Sequence, residues 1–231
     1  MKALLLAAGL GTRLRPITDS VPKCLVPIHG KPLLAYWLDS LLNNGVERVL
    51  VNTHYLPDAV RAFVANSPWC EAIDLVYEDE LLGTGGTVLR NRDYLANGPF
   101  LLGHADNLTR FRLADFLDAH VRRPSGVEIT MMTFDTDAPQ TCGIVELDGL
   151  GIVRRFHEKV ADPPGKRANA AVYIFEPTVI DFIASLGKSF VDISTEVLPN
   201  YLGRIGTFHN VDYHRDIGTL EGLALAEREF R

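Results

Sequence analysis

Two short runs near the N-terminus carry residues able to handle phosphates. Gly9-Leu10-Gly11-Thr12-Arg13 follows the apolar run Lys2–Ala7, and Pro22-Lys23-Cys24-Leu25-Val26-Pro27 comes soon after. Glycines just past the end of a first strand let the backbone approach an anion with its N–H groups pointing inward. Taken alone, Gly-x-Gly after a strand is only a tight turn. The spacing is not Walker A, because no Gly-Lys-Ser/Thr follows, and the third glycine of the dinucleotide fingerprint is missing. Arg13 and Lys23 take the reading further. An arginine two residues past the second glycine can clasp a leaving pyrophosphate, and a lysine on a loop stiffened by two prolines can sit near an α-phosphate. Farther on, Asp106 follows the apolar run Leu101-Leu102-Gly103-His104-Ala105, where a lone aspartate is commonly just a helix cap.

These residues need a parallel sheet to position them. Lys2–Ala7 is continuously apolar, as expected of a central strand buried on both faces. Pro32 starts a helix with Leu34, Trp37, Leu38, Leu41 and Leu42 on one face; Gly45 ends it, and Val46–Asn52 reads as the second strand. The pattern continues with a helix over Asp58–Val64, a strand over Ile73–Tyr77 and a helix over Thr87–Leu95. Phe100–Leu102 (strand), Leu113–Val121 (helix) and Val127–Phe134 (strand) follow. This alternation implies an α/β fold with a doubly wound sheet and right-handed crossovers, whose ligands bind at the carboxyl ends of the strands. Gly143–Leu147, Ile152–His157 and Ala170–Phe175 then read as strands joined by turns. Helices return at Pro177–Ala184 and Ser194–Tyr201, before a strand at Ile205–His209 and a helix at Thr219–Phe230. No linker separates domains, so a single domain over 1–231 is expected, with a nucleotide-binding half to about residue 135 and a mixed strand–helix half over about 136–231.

Composition excludes several classes. A net charge of −6 does not suit a nucleic-acid binder, which needs a basic face. Cys24, Cys70 and Cys142 form no CxxC pair, so neither a disulfide framework nor a zinc site is expected. The apolar run after Lys2 is short and lacks a small-residue cleavage site, so it reads as a strand rather than a signal peptide. No apolar stretch reaches the roughly 18 residues that cross a bilayer. A cytoplasmic chain without membrane partners is the expectation, and apolar residues around Pro57–Trp69 would suit a homo-oligomer contact.

The run from Ala7 to Ile28 closely resembles the signature of the sugar-1-phosphate nucleotidyltransferases, AAGxGTRLxPLT followed by PKxLxPI. The resemblance implies a Rossmann-like, GT-A-like fold with a mixed, mainly parallel sheet. It also implies that Leu6, Ala8, Gly9, Gly11, Thr12, Arg13 and Lys23 line the nucleotide, with Arg13 and Lys23 catalytic. Glu78-Asp79-Glu80-Leu81-Leu82-Gly83-Thr84-Gly85-Gly86 resembles the family's base-contacting E-x-x-LGTAG segment, which adds Glu78, Glu80, Gly83 and Thr84 to the nucleotide set. A carboxylate there suits guanine, which offers two donors on one edge; the bland alternative is a solvated acidic turn. Asp106-Asn107 resembles the family's GD or GDN block, although His104-Ala105 separates Gly103 from the acid. Asp216-Ile217-Gly218-Thr219 resembles its DIGT block. Asp106 and Asp216 would thus hold Mg2+, which takes few protein ligands and fills its shell with phosphate oxygens and water.

Further blocks resemble the family's sugar half: Gly143 in Cys142-Gly143-Ile144-Val145, Glu158-Lys159, Asn169 in Asn169-Ala170-Ala171-Val172-Tyr173, and Thr195 in Asp192-Ile193-Ser194-Thr195-Glu196. With Asn107 they are implied to bind the sugar and its phosphate. Val160 and Ala171 replace the family's usual Pro and Gly. The implied reaction is attack by a sugar 1-phosphate on the α-phosphorus of a nucleoside triphosphate. No general base is needed, because a phosphate monoester is largely dianionic near neutral pH, with its second pKa about 6. Within the family the chain most resembles short single-domain guanylyltransferases of surface-polysaccharide pathways. GTP with D-glycero-D-manno-heptose 1-phosphate is the favoured pair, followed by mannose 1-phosphate, then a uridylyl- or thymidylyltransferase. A glycosyltransferase would carry a DxD motif, whereas Asn107-Leu108 follows Asp106; an inactive regulatory homologue would have shed the charged set.

Overall fold

The computed structural model describes residues 1–230. It opens with β1 (Lys2–Leu6), whose Ala3, Leu4 and Leu5 are wholly buried, as a strand covered on both faces requires. A two-residue hairpin, β2 (Pro27–Ile28) and β3 (Lys31–Pro32), leads into α1 (Leu33–Leu42), which buries Leu34, Trp37, Leu38 and Leu41. The chain continues through β4 (Arg48–Thr53), α2 (Pro57–Ala65, with proline in the first turn), β5 (Ile73–Tyr77), α3 (Gly83–Arg90) and α4 (Arg92–Leu95). Next come β6 (Phe100–His104), β7 (Asn107–Arg110), α5 (Leu113–Val121) and β8 (Ile129–Asp135). Then follow β9 (Gly143–Leu147), β10 (Val153–Glu158), β11 (Arg167–Phe175) and α6 (Thr178–Ser185). β12 (Ile205–His209), β13 (Tyr213–Asp216) and α7 (Leu220–Glu229) complete it. No helix among the described residues is long and apolar enough to cross a membrane.

Two compact units emerge, and the chain passes between them four times. The first comprises residues 1–81, 103–111 and those from 212 onward. In it β1 pairs parallel with β4, and β4 parallel with β5. β7 pairs antiparallel with β13, so that Asn107 faces Asp216 and Arg110 faces Tyr213. A core of Leu14, Val26, Ile28, Leu33, Leu108, Ile217, Ala226 and Phe230 lies beneath the functional loops. The second unit comprises 82–102 and 112–211. There β8 pairs antiparallel with β11 and parallel with β12, β11 with β9, and β9 antiparallel with β10. The result is the expected α/β fold with a sheet of both strand senses.

Two of the expected helices change. The helix expected over Thr87–Leu95 begins at Gly83 and is broken at Asn91. Gly83, Gly85 and Gly86 are poor helix formers, but their bare Cα atoms fit against the backbone of Ser189–Val191, so packing overrides propensity. Ser194–Tyr201 is a π turn over Ile193–Val197 followed by a 3-10 turn over Leu198–Tyr201, because Pro199 has no N–H to continue an α-helix. The strand β13 had no sequence counterpart. In the segment assigned to a subunit contact, Val60 and Val64 are buried and Phe63 and Trp69 are half-buried.

A methyl group on Gly86 would lie 2.2 Å from the carbonyl oxygen of Ser189. Gly86→Ala is therefore expected to destabilise the protein by about 1–3 kcal/mol in urea unfolding. Gly165→Ala, which meets open space, should stay within about 0.5 kcal/mol of the parent. Equal midpoints for the two variants would contradict this packing.

Candidate active site

The glycine loop leaves β1 under close constraint. Leu6 closes the strand half-buried, Ala8 is buried and Gly9 meets open space. The N–H of Ala7 donates to Asn52 Oδ1 (2.7 Å), and Asn52 Nδ2 donates to Glu78 Oε1 (3.1 Å). Gly11 sits at φ +63°, where Thr12–Leu14 begins a 3-10 turn. Thr18 Oγ1 donates to its carbonyl (2.8 Å), and an added Cβ would come within 2.9 Å of the Thr18 methyl. Glycine is thus required there for both conformation and space. Buried Leu14 anchors the turn while Arg13 projects outward, its guanidinium 3.7 Å from Asp216 Oδ2.

Lys23 is the centre of the cluster. Its side chain is only 7% exposed, yet Nζ donates to Asp106 Oδ2 (2.7 Å) and to Asp216 Oδ1 (3.2 Å). The sheet explains the convergence. β6 runs on through His104, and the Ala105 N–H still donates to the Leu6 carbonyl (3.0 Å), so Asp106 lies just past the strand end. With His104 and Ala105 between Gly103 and the acid, Asp106 meets the same ammonium as Asp216, whose neighbour across β7/β13 is Asn107. Asn107 is itself buried, and its carbonyl accepts from Trp37 Nε1 (2.9 Å). Burial works against ionisation of Asp106, but the charge of Lys23, then that of His104, holds its carboxyl below the ordinary range. Burial, reinforced by His104, pushes His214 down to about 3, leaving a neutral ring. Burial and the charge of Asp106 push the Cys24 thiol up to about 12, so this cysteine is inert. Gly218 completes the arrangement: a Cβ there would meet the Arg13 guanidinium at 2.7 Å and Asp216 Oδ2 at 2.8 Å.

This donor set fits Mg2+. Two carboxylates already converge on one cationic group, and both are partly open, at 32% and 54% exposure. Among the described residues no three His, Cys, Asp or Glu side chains gather into a metal cage. Asp106 and Asp216 offer oxygen donors, the kind a hard cation such as Mg2+ would take along with phosphate and water.

The base block divides between the units. In the first, Glu78 is buried against Asn52, bracing the phosphate loop, and Glu80 is exposed. In the second, Gly83 and Thr84 open α3, where Thr84 Oγ1 accepts from the Ile193 N–H (2.7 Å). Gly143, Glu158, Lys159, Asn169 and Thr195 belong to the second unit, and Asn107 to the first. A Cβ on Gly143 would fall 2.7 Å from Glu158 Oε2, so glycine lets that carboxylate lie over the strand. Lys159, at φ +50°, turns its chain outward and holds Glu158 Oε1 at 3.3 Å. Asn169 Nδ2 donates to the Tyr173 hydroxyl (2.6 Å) and its Oδ1 accepts from the Ala171 N–H (2.9 Å). Ala171 adopts φ +54° where the family pattern has glycine. Asp192 caps the turn over Ile193–Val197, its Oδ1 accepting from Thr195 N (3.0 Å) and Oγ1 (3.1 Å). Asn52 and Asp192 escaped the sequence reading. A polar residue near the end of an apolar strand flags the first, and the N-cap spacing Asp192–Thr195 flags the second.

Residues 2–231 match the family model described as Nucleotidyl transferase. The chain belongs to the nucleotidyl transferase family. It is 35% identical over 224 residues to the mannose-1-phosphate guanylyltransferase of Mycobacterium tuberculosis, covering 95% of this chain and 61% of that one. The chain spans about three fifths of the length of such curated relatives. Among solved structures, HddC from Yersinia pseudotuberculosis superposes with TM-score 0.82 at 25% identity, covering 100% of this chain and 99% of that one. A candidate glucose-1-phosphate thymidylyltransferase from Bacillus anthracis shares the fold, with TM-score 0.88 at 19% identity over 99% of this chain and 94% of that one.

Because Asp106 is held below its ordinary range, its ionised form stabilises the fold above that range, and this contribution is lost as pH falls through the folded value. Removing Lys23 leaves burial as the largest influence. In metal-free Lys23→Met protein the Asp106 carboxyl should titrate higher than in the parent by 13C NMR, and the urea midpoint near pH 7 should fall. An unmoved Asp106 titration would show that Lys23 does not set its charge.

Proposed function

We propose that this chain transfers GMP from GTP to a sugar 1-phosphate, releasing pyrophosphate. The observation that carries the reading is the convergence of Arg13, Lys23, Asp106 and Asp216 beside the glycine loop. Family membership supports nucleotidyl transfer, and relatives named mannose-1-phosphate guanylyltransferase favour guanine. The same relatives tilt the acceptor toward mannose 1-phosphate, ahead of the heptose 1-phosphate that the sequence alone favoured.

An oxygen of the sugar phosphate attacks the α-phosphorus, a new P–O bond forms, and the bond from α-phosphorus to the bridging oxygen breaks. The attacking oxygen needs no proton removed, so catalysis is alignment and charge neutralisation. Arg13 takes the β- and γ-phosphates, the leaving end, with its planar fork. Lys23 lies near the α-phosphate, where negative charge gathers. Asp106 and Asp216 would hold Mg2+, which when bound neutralises phosphate oxygens. The backbone of Gly9–Thr12 cradles the phosphates. Glu80, exposed where Glu78 is buried, is the carboxylate suited to guanine's paired donors. The resemblance implies Lys159 for the sugar phosphate and Glu158 as acceptor for sugar hydroxyls.

Pyrophosphate release should be fastest with GTP among GTP, UTP, dTTP, ATP and CTP, and with mannose 1-phosphate in a panel that includes heptose 1-phosphate. Asp106→Ala and Asp216→Ala should each lose at least about 100-fold in kcat, as when preorganised electrostatic groups are removed. Near-parental turnover in both variants would overturn the metal assignment, and a clear preference for UTP or dTTP would overturn the base.

A further inference from the structure

The resemblance places Thr84 on the nucleotide, but its hydroxyl is engaged elsewhere. Thr84 Oγ1 accepts from the Ile193 N–H at 2.7 Å and donates to Asp192 Oδ2 at 3.4 Å. Asp192 uses its other oxygen, Oδ1, to hold both the N–H and the hydroxyl of Thr195, and its own N–H donates to Glu196 (2.9 Å). The surrounding backbones are joined as well. The N–H groups of Gly85 and Gly86 donate to the Val191 carbonyl, at 2.8 and 3.3 Å, and the Val191 N–H donates to the Leu82 carbonyl (3.1 Å). The contact is too close for side chains: a Cβ on Gly83 would lie 2.6 Å from the Val191 carbonyl oxygen. Two segments about a hundred residues apart in sequence thus form one piece of the second unit, with the Thr84 hydroxyl as its side-chain bond.

Resting on the reading above and on the resemblance, which implies Thr195 for the sugar, we propose that Thr84 is a positioning residue for the sugar 1-phosphate. It acts through Asp192 and Ile193, to which its hydroxyl is committed. Both bonds are needed. Without the hydroxyl the buried Ile193 N–H loses its acceptor, Asp192 loses a donor, and the turn presenting Thr195 loosens. The glycines beside Thr84 keep their backbone pairing, so the nucleotide-facing segment stays in place.

The test is steady-state kinetics of Thr84→Val and Thr84→Ser with GTP and mannose 1-phosphate. Thr84→Val should raise the KM for the sugar phosphate about 10-fold, the effect of losing a hydrogen bond to a charged group, while the KM for GTP stays within about twofold. Thr84→Ser, which keeps the hydroxyl, should restore the parental value. A rise confined to the GTP KM, an equal rise in both, or no change in either would overturn the proposal. Should Thr84→Val fail to fold by thermal melting, Thr84→Ala removes the same hydroxyl without placing a branched side chain there. It should raise the acceptor KM alone, and any other outcome overturns the proposal. Independently of turnover, the 15N amide signals of Ile193 and Thr195 should move in Thr84→Val and return in Thr84→Ser. Parental protein that turns over no substrate pair while these signals move would contradict the functional reading and leave the positioning bond intact.

Discussion

Lys23 holds the first unit's chemistry together. A buried ammonium is tolerable only when opposite charge lies within hydrogen-bonding distance. Here that charge comes from two aspartates 83 and 193 residues away in sequence. One interaction therefore joins the loop after the glycines, the end of β6 and the end of β13. It works in both directions: the carboxylates make it acceptable to bury Lys23, and Lys23 keeps Asp106 ionised despite burial. Removing one partner leaves uncompensated charge in a dry place, which is more damaging than removing an exposed ion pair such as Arg61–Asp58.

Glycine marks the places where charged groups approach backbone. Gly11 admits Thr18 and Lys23, Gly218 lets Arg13 approach Asp216, and Gly143 lets Glu158 lie across its strand. In each case a methyl group would push a charged or anchoring side chain off its position. Ala171 is the contrary case: it occupies a left-handed conformation that costs an alanine about 1–2 kcal/mol, and the Asn169 side chain stabilises it by accepting from its N–H.

Much of this was legible in sequence, for physical reasons. Ile73–Tyr77, Leu113–Val121, Gly143–Leu147 and Ile205–His209 form the elements expected over those residues, because local periodicity and turn residues define them. The start of α3 was not legible, since packing against Ser189–Val191 decides it and propensity opposes it. Nor was β13, a strand of mostly polar residues made by pairing with β7. Arg13, Lys23, Asp106 and Asp216 stood out as short motifs, but their convergence depends on strand register that no local signal encodes. The inward turn of Glu78 and the internal bonds of Thr84 and Asn169 were hidden because residue type does not reveal a side chain's partner.

The family relation and the charged cluster point to the same chemistry, with substrate choice resting on fewer residues. Its most direct test follows the α-phosphorus itself. Incubated with GTP labelled at the α-phosphate, mannose 1-phosphate and Mg2+, the protein should place the label in a GDP-sugar, with only unlabelled pyrophosphate released. Label remaining in GTP with every sugar 1-phosphate offered, or appearing in free GMP or GDP without a sugar product, would contradict the account.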